Sequence, residues 1–136
     1  MPDPRPAHVP WLTPYLTVRD AKAAATFYAQ AFGFSVHDMV NDDGIVMHVE
    51  MFYQGQLIVM FAPEGAFAST ARTGVEASQS FYVYTEDVDA LYAQATAAGA
   101  KGLTPPSDQF WGDRFCQLED PDGYRWGFAR PVATRS

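Results

Sequence analysis

The chain holds one cysteine, Cys116, among 136 residues. A single thiol closes no internal disulfide and builds no cysteine-based zinc site. Basic residues are also few: nine Lys and Arg stand against sixteen Asp and Glu, a formal net charge of −7. Binding to nucleic acid by counterion release needs clustered cations. These nine are scattered, so no nucleic-acid partner is expected. The longest apolar run, residues 57–62, is too short to cross a bilayer, and no membrane partner is expected either. The opening stretch MPDPRPAHVPW has four prolines and no apolar segment, so it reads as an extended arm rather than a secretory signal. With one cysteine and no such signal, the expected location is cytoplasmic. Nucleophile elbows, phosphate loops and zinc signatures are absent.

What is present is apolar and repetitive. Hydrophobic residues make up 48% of the chain and aromatics 15%, enough for one globular domain with a real core. GQLIVMFAP, from Gly55, and GYRWGFARP, from Gly123, both run from Gly to Pro and lie 123 − 55 = 68 positions apart. Gly44 and Gly112 share that spacing, while Asp20 and Asp87 are 87 − 20 = 67 apart and each precedes a helix-like stretch. Ordered matches near one period predict one module written twice.

In the first copy, PYLTV alternates as a strand, with Leu16 and Val18 on one face and Tyr15 and Thr17 on the other. Asp20 is an N-cap for a helix with Ala24, Phe27 and Ala31 at helical spacing, and Gly33 suits its C-terminal end. Strands follow near 34–40, 45–53 and 56–61, divided by the turn formers NDDG and QG. In the second copy, SFYVY is the strand, and Asp87 caps a helix carrying Val88, Leu91, Tyr92 and Ala95 on one face. Strands near 101–104, 113–119 and 124–129 follow, with DPDG as a turn.

The expected fold is α+β, two tandem βαβββ modules whose curled sheets enclose a cavity. The whole chain, 1–136, is one domain, with modules at about 11–63 and 79–131 and a linker at about 64–78. Phe81 and Val83 suit the core, whereas Ser80, Tyr82 and Tyr84 suit the cavity wall.

This order, with LTVRD…FYAQAFGF early and FWGDRFCQLEDPDGYRWGFA late, resembles the vicinal oxygen chelate superfamily of glyoxalases, bleomycin-resistance proteins and extradiol dioxygenases. MHVE, WGDR and DPDGYRW look most like its PhnB-like branch, and the likeness covers roughly residues 11–131. The resemblance implies metal ligands, His, Glu or Gln, on the first and last strands of each module. Those positions fall on Thr13, Val59, Ser80 and Gly127, none of them a usual ligand. A divalent ion needs several converging N or O donors. No metal and no other cofactor is therefore expected, and no residue is assigned as catalytic.

Other residues point to binding. His48 and Glu50 stand at i and i+2 on one strand and share a face. At a spacing of 68 their counterparts are Cys116 and Leu118, which look like core, so the repeat leaves that face open. In FWGDR, Trp111 offers a stacking surface and Arg114 a planar fork for a carboxylate, or an Asp113–Arg114 pair fixes the loop. Tyr15, Tyr82 and Tyr84 are placed to stack on a flat ligand. His8 and His37 read as surface residues, and Cys116 as an inert buried thiol.

The leading reading is a metal-independent protein that sequesters an aromatic or cationic, antibiotic-like small molecule. Its binding residues are Tyr15, His48, Glu50, Tyr82, Tyr84, Trp111 and Arg114. The resemblance further implies a homodimer. The alternative is a lyase, isomerase or dioxygenase using an off-pattern metal or an acid–base pair at His48 and Glu50. A third reading is a scaffold whose cavity is filled by its own aromatics.

Overall fold

The computed structural model describes residues 2–65 and 79–132; most of the expected linker, 66–78, lies outside them. The first copy folds as β1 (Tyr15–Val18), α1 (Ala21–Phe32), β2 (Ser35–Asp42), β3 (Ile45–Tyr53) and β4 (Gln56–Pro63). The second folds as β5 (Phe81–Tyr84), α2 (Val88–Ala97), β6 (Lys101–Asp108), β7 (Asp113–Glu119) and β8 (Arg125–Pro131). The protein is thus α+β, built of two tandem βαβββ modules. Each has a mixed four-stranded sheet, ordered β1-β4-β3-β2 in one and β5-β8-β7-β6 in the other. Two compact units follow this division, except that Gln30–Phe32 group with the second. Among the described residues, no helix is long and apolar enough to cross a membrane.

Both helices start where the sequence predicts. Asp20 and Asp87 sit in extended backbone, and each carboxylate accepts a hydrogen bond from a first-turn amide, that of Ala23 or Ala90. Gly33 ends α1 at φ 78°, a conformation open to glycine and costly to most other residues. Along α1 the buried line runs through Ala21, Ala24, Ala25, Tyr28, Ala31 and Phe32. Tyr28, rather than Phe27, is the large buried anchor, and its ring meets Phe61 edge-on at 5.4 Å. In α2 the predicted Val88, Leu91 and Ala95 are buried.

Strand alternation puts each sheet's apolar face inward. Val49, Met51, Val59 and Phe61 are fully buried in the first module, and Cys116, Leu118 and Phe128 in the second. Each such side chain contributes about 1.5–3 kcal/mol by leaving water. The opposite faces carry the polar and half-exposed residues.

The pairing corrects the repeat. Tyr15 and Glu50 both pair with Met60, and Tyr82 and Gln117 both pair with Gly127. Equivalent residues are therefore 67 apart (82 − 15, 127 − 60, 117 − 50), not 68. Two bulges hide this. Between Val40 and Asn41 the partner on β3 skips from His48 to Val46, leaving Met47 extra. On β4 the partner skips from Val59 to Leu57, leaving Ile58 extra. The β7–β8 ladder has neither irregularity. The first hairpin turns on Gln54 and Gly55, both at positive φ, whereas the second uses the longer DPDG turn, whose Gly123 comes one place later. Turn glycines thus match at 68 while the strands match at 67. His48 corresponds to Phe115 and Glu50 to Gln117, so the expected matches with Cys116 and Leu118 are one residue out.

Candidate functional site

On the first module, Tyr15, His48 and Glu50 meet on the sheet face opposite Val49 and Met51. The Tyr15 hydroxyl lies 2.9 Å from His48 Nδ1, and His48 Nε2 lies 3.0 Å from Glu50 Oε2. In the tautomer with the proton on Nε2, Nε2–H donates to Glu50 and Nδ1 accepts from the Tyr15 hydroxyl. Burial, and then the charge of Glu50, raise the Tyr15 hydroxyl above the usual phenol range. Tyr15 therefore stays a phenol at neutral pH, able to donate a hydrogen bond.

The second module carries a more aromatic cluster. Asp113 begins β7 and is fully buried. Its Oδ2 accepts from Tyr82 at 2.6 Å and from Tyr84 at 3.2 Å. The Tyr82 oxygen in turn accepts from the Trp111 indole N–H at 2.9 Å. Burial, followed by the bond to Asp113, raises the Tyr82 hydroxyl above its ordinary value. Tyr82 stacks on Phe115 with ring centres 5.4 Å apart, and Trp111 meets Phe115 edge-on at 5.8 Å. Yet Tyr82, Tyr84 and Trp111 remain 46%, 49% and 40% exposed. The two hydroxyls point in toward Asp113 and the indole N–H toward the Tyr82 oxygen, while much of each side chain faces water.

Of the seven residues singled out from sequence, six fall into these two clusters and Arg114 does not. Neighbouring strand residues face opposite ways, and Arg114 points toward α2. It holds Asp89 with two hydrogen bonds, 2.7 and 2.9 Å, and Asp108 with one of 3.0 Å. Its fork is filled by its own chain, and the expected Asp113–Arg114 alternative gives way to these partners. Sequence reasoning missed Asp113 as the hub and Phe115 as a wall. The alternation of β7 was the available signal, since it puts 113, 115 and 117 on one face. His8 and His37 are both exposed, and His37 stacks on Phe52 at 4.1 Å. Cys116 is buried, which pushes its thiol up to about 11. Two concavities, about 450 Å³ beneath the N-terminal arm at Arg5, Trp11 and Gln56 and about 320 Å³ beside Arg19 and Pro63, include none of the seven. In the arm, Arg5 is already bonded to Asp3 and lies over Trp11.

The family metal does not fit these positions. Thr13 and Ser80 are weak donors. Val59 is fully buried on the apolar face, and the residue matching Gly127 is Met60. A Cβ on Gly127 would stand 2.5 Å from Cε1 of Phe115, so a ring fills the space a ligand side chain needs. Among the described residues, no group of three His, Cys, Asp or Glu is placed to hold a metal ion.

Comparison with known proteins agrees with this architecture. Uncharacterized protein Rv0887c of Mycobacterium tuberculosis (strain ATCC 25618 / H37Rv) is 31% identical over 128 residues, covering 90% of this chain and 75% of that protein. The crystal structure of TioX from Micromonospora sp. ML1 is similar at TM-score 0.74 and 26% identity, over 89% of this chain and 98% of that one. TnmS3, an antibiotic binding protein from Streptomyces sp. CB03234, shares the fold at TM-score 0.63 and 20% identity, over 89% and 96%. The sequence profile of the Glyoxalase/Bleomycin resistance protein/Dioxygenase superfamily matches residues 6–128, and the chain belongs to that superfamily.

Proposed function

We propose that this protein binds a small aromatic or cationic molecule without a metal, in the manner of a sequestering protein. The observation that carries the reading is the second module's inverted aromatic face. Surface tyrosines and tryptophans ordinarily turn their polar ends to water. Here Asp113 draws the two tyrosine hydroxyls inward, the Tyr82 oxygen holds the Trp111 N–H, and ring surface is left outside. Holding the rings in advance lowers the ordering cost of binding. Phe115 over Gly127 adds apolar wall where the family's enzymes carry a ligand. The antibiotic-binding description of TnmS3 supports the same kind of role.

Native mass spectrometry with metal analysis tests this on protein purified without chelator. A co-purified organic molecule and no stoichiometric metal is the expected result; a stoichiometric divalent metal overturns it. The same spectrum reads the proposed homodimer, and fractionation of cells reads the proposed cytoplasmic location.

A second reading rests on a separate observation, the Tyr15–His48–Glu50 chain. Its order suits proton transfer: Glu50 orients His48, whose Nδ1 takes the Tyr15 proton as the Tyr15 oxygen accepts one from a substrate carbon. Exchange of carbon-bound protons of the co-purified molecule in deuterated water, lost in His48→Gln, supports this acid–base reading. No exchange in the parent protein removes it.

A further inference from the structure

We infer that the face formed by Tyr82, Tyr84 and Trp111 selects an organic cation of the alkylammonium class, with Asp113 as its buried counter-charge. The inference rests on the binding reading above and narrows it to one chemical class on one module.

Three features set this face apart from a merely apolar one. First, a carboxylate with no exposed surface lies behind the rings, and two phenols donate to the same oxygen, at 2.6 and 3.2 Å. A phenol that donates to a carboxylate gains electron density in its ring, and ring faces attract cations. Second, the rings meet at angles instead of lying flat. Tyr82 and Tyr84 are 5.6 Å apart at 64°, which offers two differently directed surfaces to one compact charge. Third, the module's three described arginines face other groups. Arg114 binds Asp89 and Asp108, Arg130 donates to the Glu86 carbonyl, and Arg125 stands 3.9 Å from Glu119.

The first module shows the contrast. Its equivalent tyrosine, Tyr15, is bonded to the His48 imidazole, and the carboxylate of Glu50 is bonded to that imidazole rather than to the phenol. Among the described residues, it is in the second module that a fully buried carboxylate takes hydrogen bonds directly from open rings. Alkylammonium ions fit because they are weakly hydrated and lose little on leaving water, whereas a compact, strongly hydrated ammonium loses more.

The test is isothermal titration of the full chain with choline and with 3,3-dimethylbutan-1-ol, a neutral molecule of the same shape, at matched chloride. Choline is expected to bind at least about tenfold more tightly. That preference should fall to near unity in Tyr84→Leu and persist in Tyr84→Phe, which keeps the ring. Asp113→Asn should also abolish it; because that buried substitution can unfold the chain, Tyr84→Leu is the deciding variant. Equal binding of the two probes overturns the cation inference and leaves the small-molecule reading standing. No binding of either up to ~10 mM also overturns it; the co-purified molecule then decides the broader reading separately. A preference unchanged in Tyr84→Leu places the cation elsewhere and overturns it as well.

Discussion

Gly127 shows how one residue can settle a slot. Its backbone is ordinary, and the demand on it is space, since Phe115 occupies the place of a side chain. Gly127→Ala should therefore cost about 1–3 kcal/mol through overpacking, read by urea denaturation. Phe115→Leu in the same background should recover part of the loss. Gly127→Glu should take up no stoichiometric zinc, because too few donors surround it. The hydroxyl of Tyr82 gives a prediction of opposite character. Its folded value lies above the unfolded 10.0, so the native state holds the proton over a range where the unfolded chain has released it. Stability is full below pH 10 and falls as pH rises through the folded value. Melts from about pH 9 to 11 should show a fall that is shallower in Tyr82→Phe. At this scale the sequence was partly legible: the tyrosines and Trp111 stood out by type and strand position. Arg114 misled because its fork has the chemistry of a binding residue, while its strand parity turns it toward Asp89.

At the scale of elements, the strands and helices were largely legible, since capping aspartates, turn glycines and strand alternation are local signals. Register was not. Met47 and Ile58 each add one residue to one side of a ladder, and neither has a side chain that marks a bulge. A spacing read from glycines therefore assigned Val59 where Met60 belongs. The DPDG turn owes its form to Asp120, which is 4% exposed. Its carboxylate accepts from the amides of Asp122 and Tyr124 and from the Trp126 indole N–H, all at 2.9–3.0 Å. Asp120→Ala strands those donors, one of them on a fully buried indole. A loss of about 2–3 kcal/mol is expected by chemical denaturation. A loss near zero would mean that the turn forms without its carboxylate.

For the whole molecule, the net charge of −7 adds a long-range attraction for cations. Choline binding should weaken as sodium chloride rises from about 0.02 to 0.5 M, because screening shortens the reach of the field, while binding of a neutral aromatic should hardly change. Added zinc should leave the melting temperature where it is, since binding to the native state alone would raise it.

The spacing of 67 also makes the two modules interchangeable in their parts. Tyr82, Phe115 and Gln117 stand where Tyr15, His48 and Glu50 stand. Phe115→His with Gln117→Glu would write the first module's proton chain onto the second, and clear Gly127 in the same stroke. The duplicated fold is in that sense a pair of blank keys cut differently, each holding the template for recutting the other.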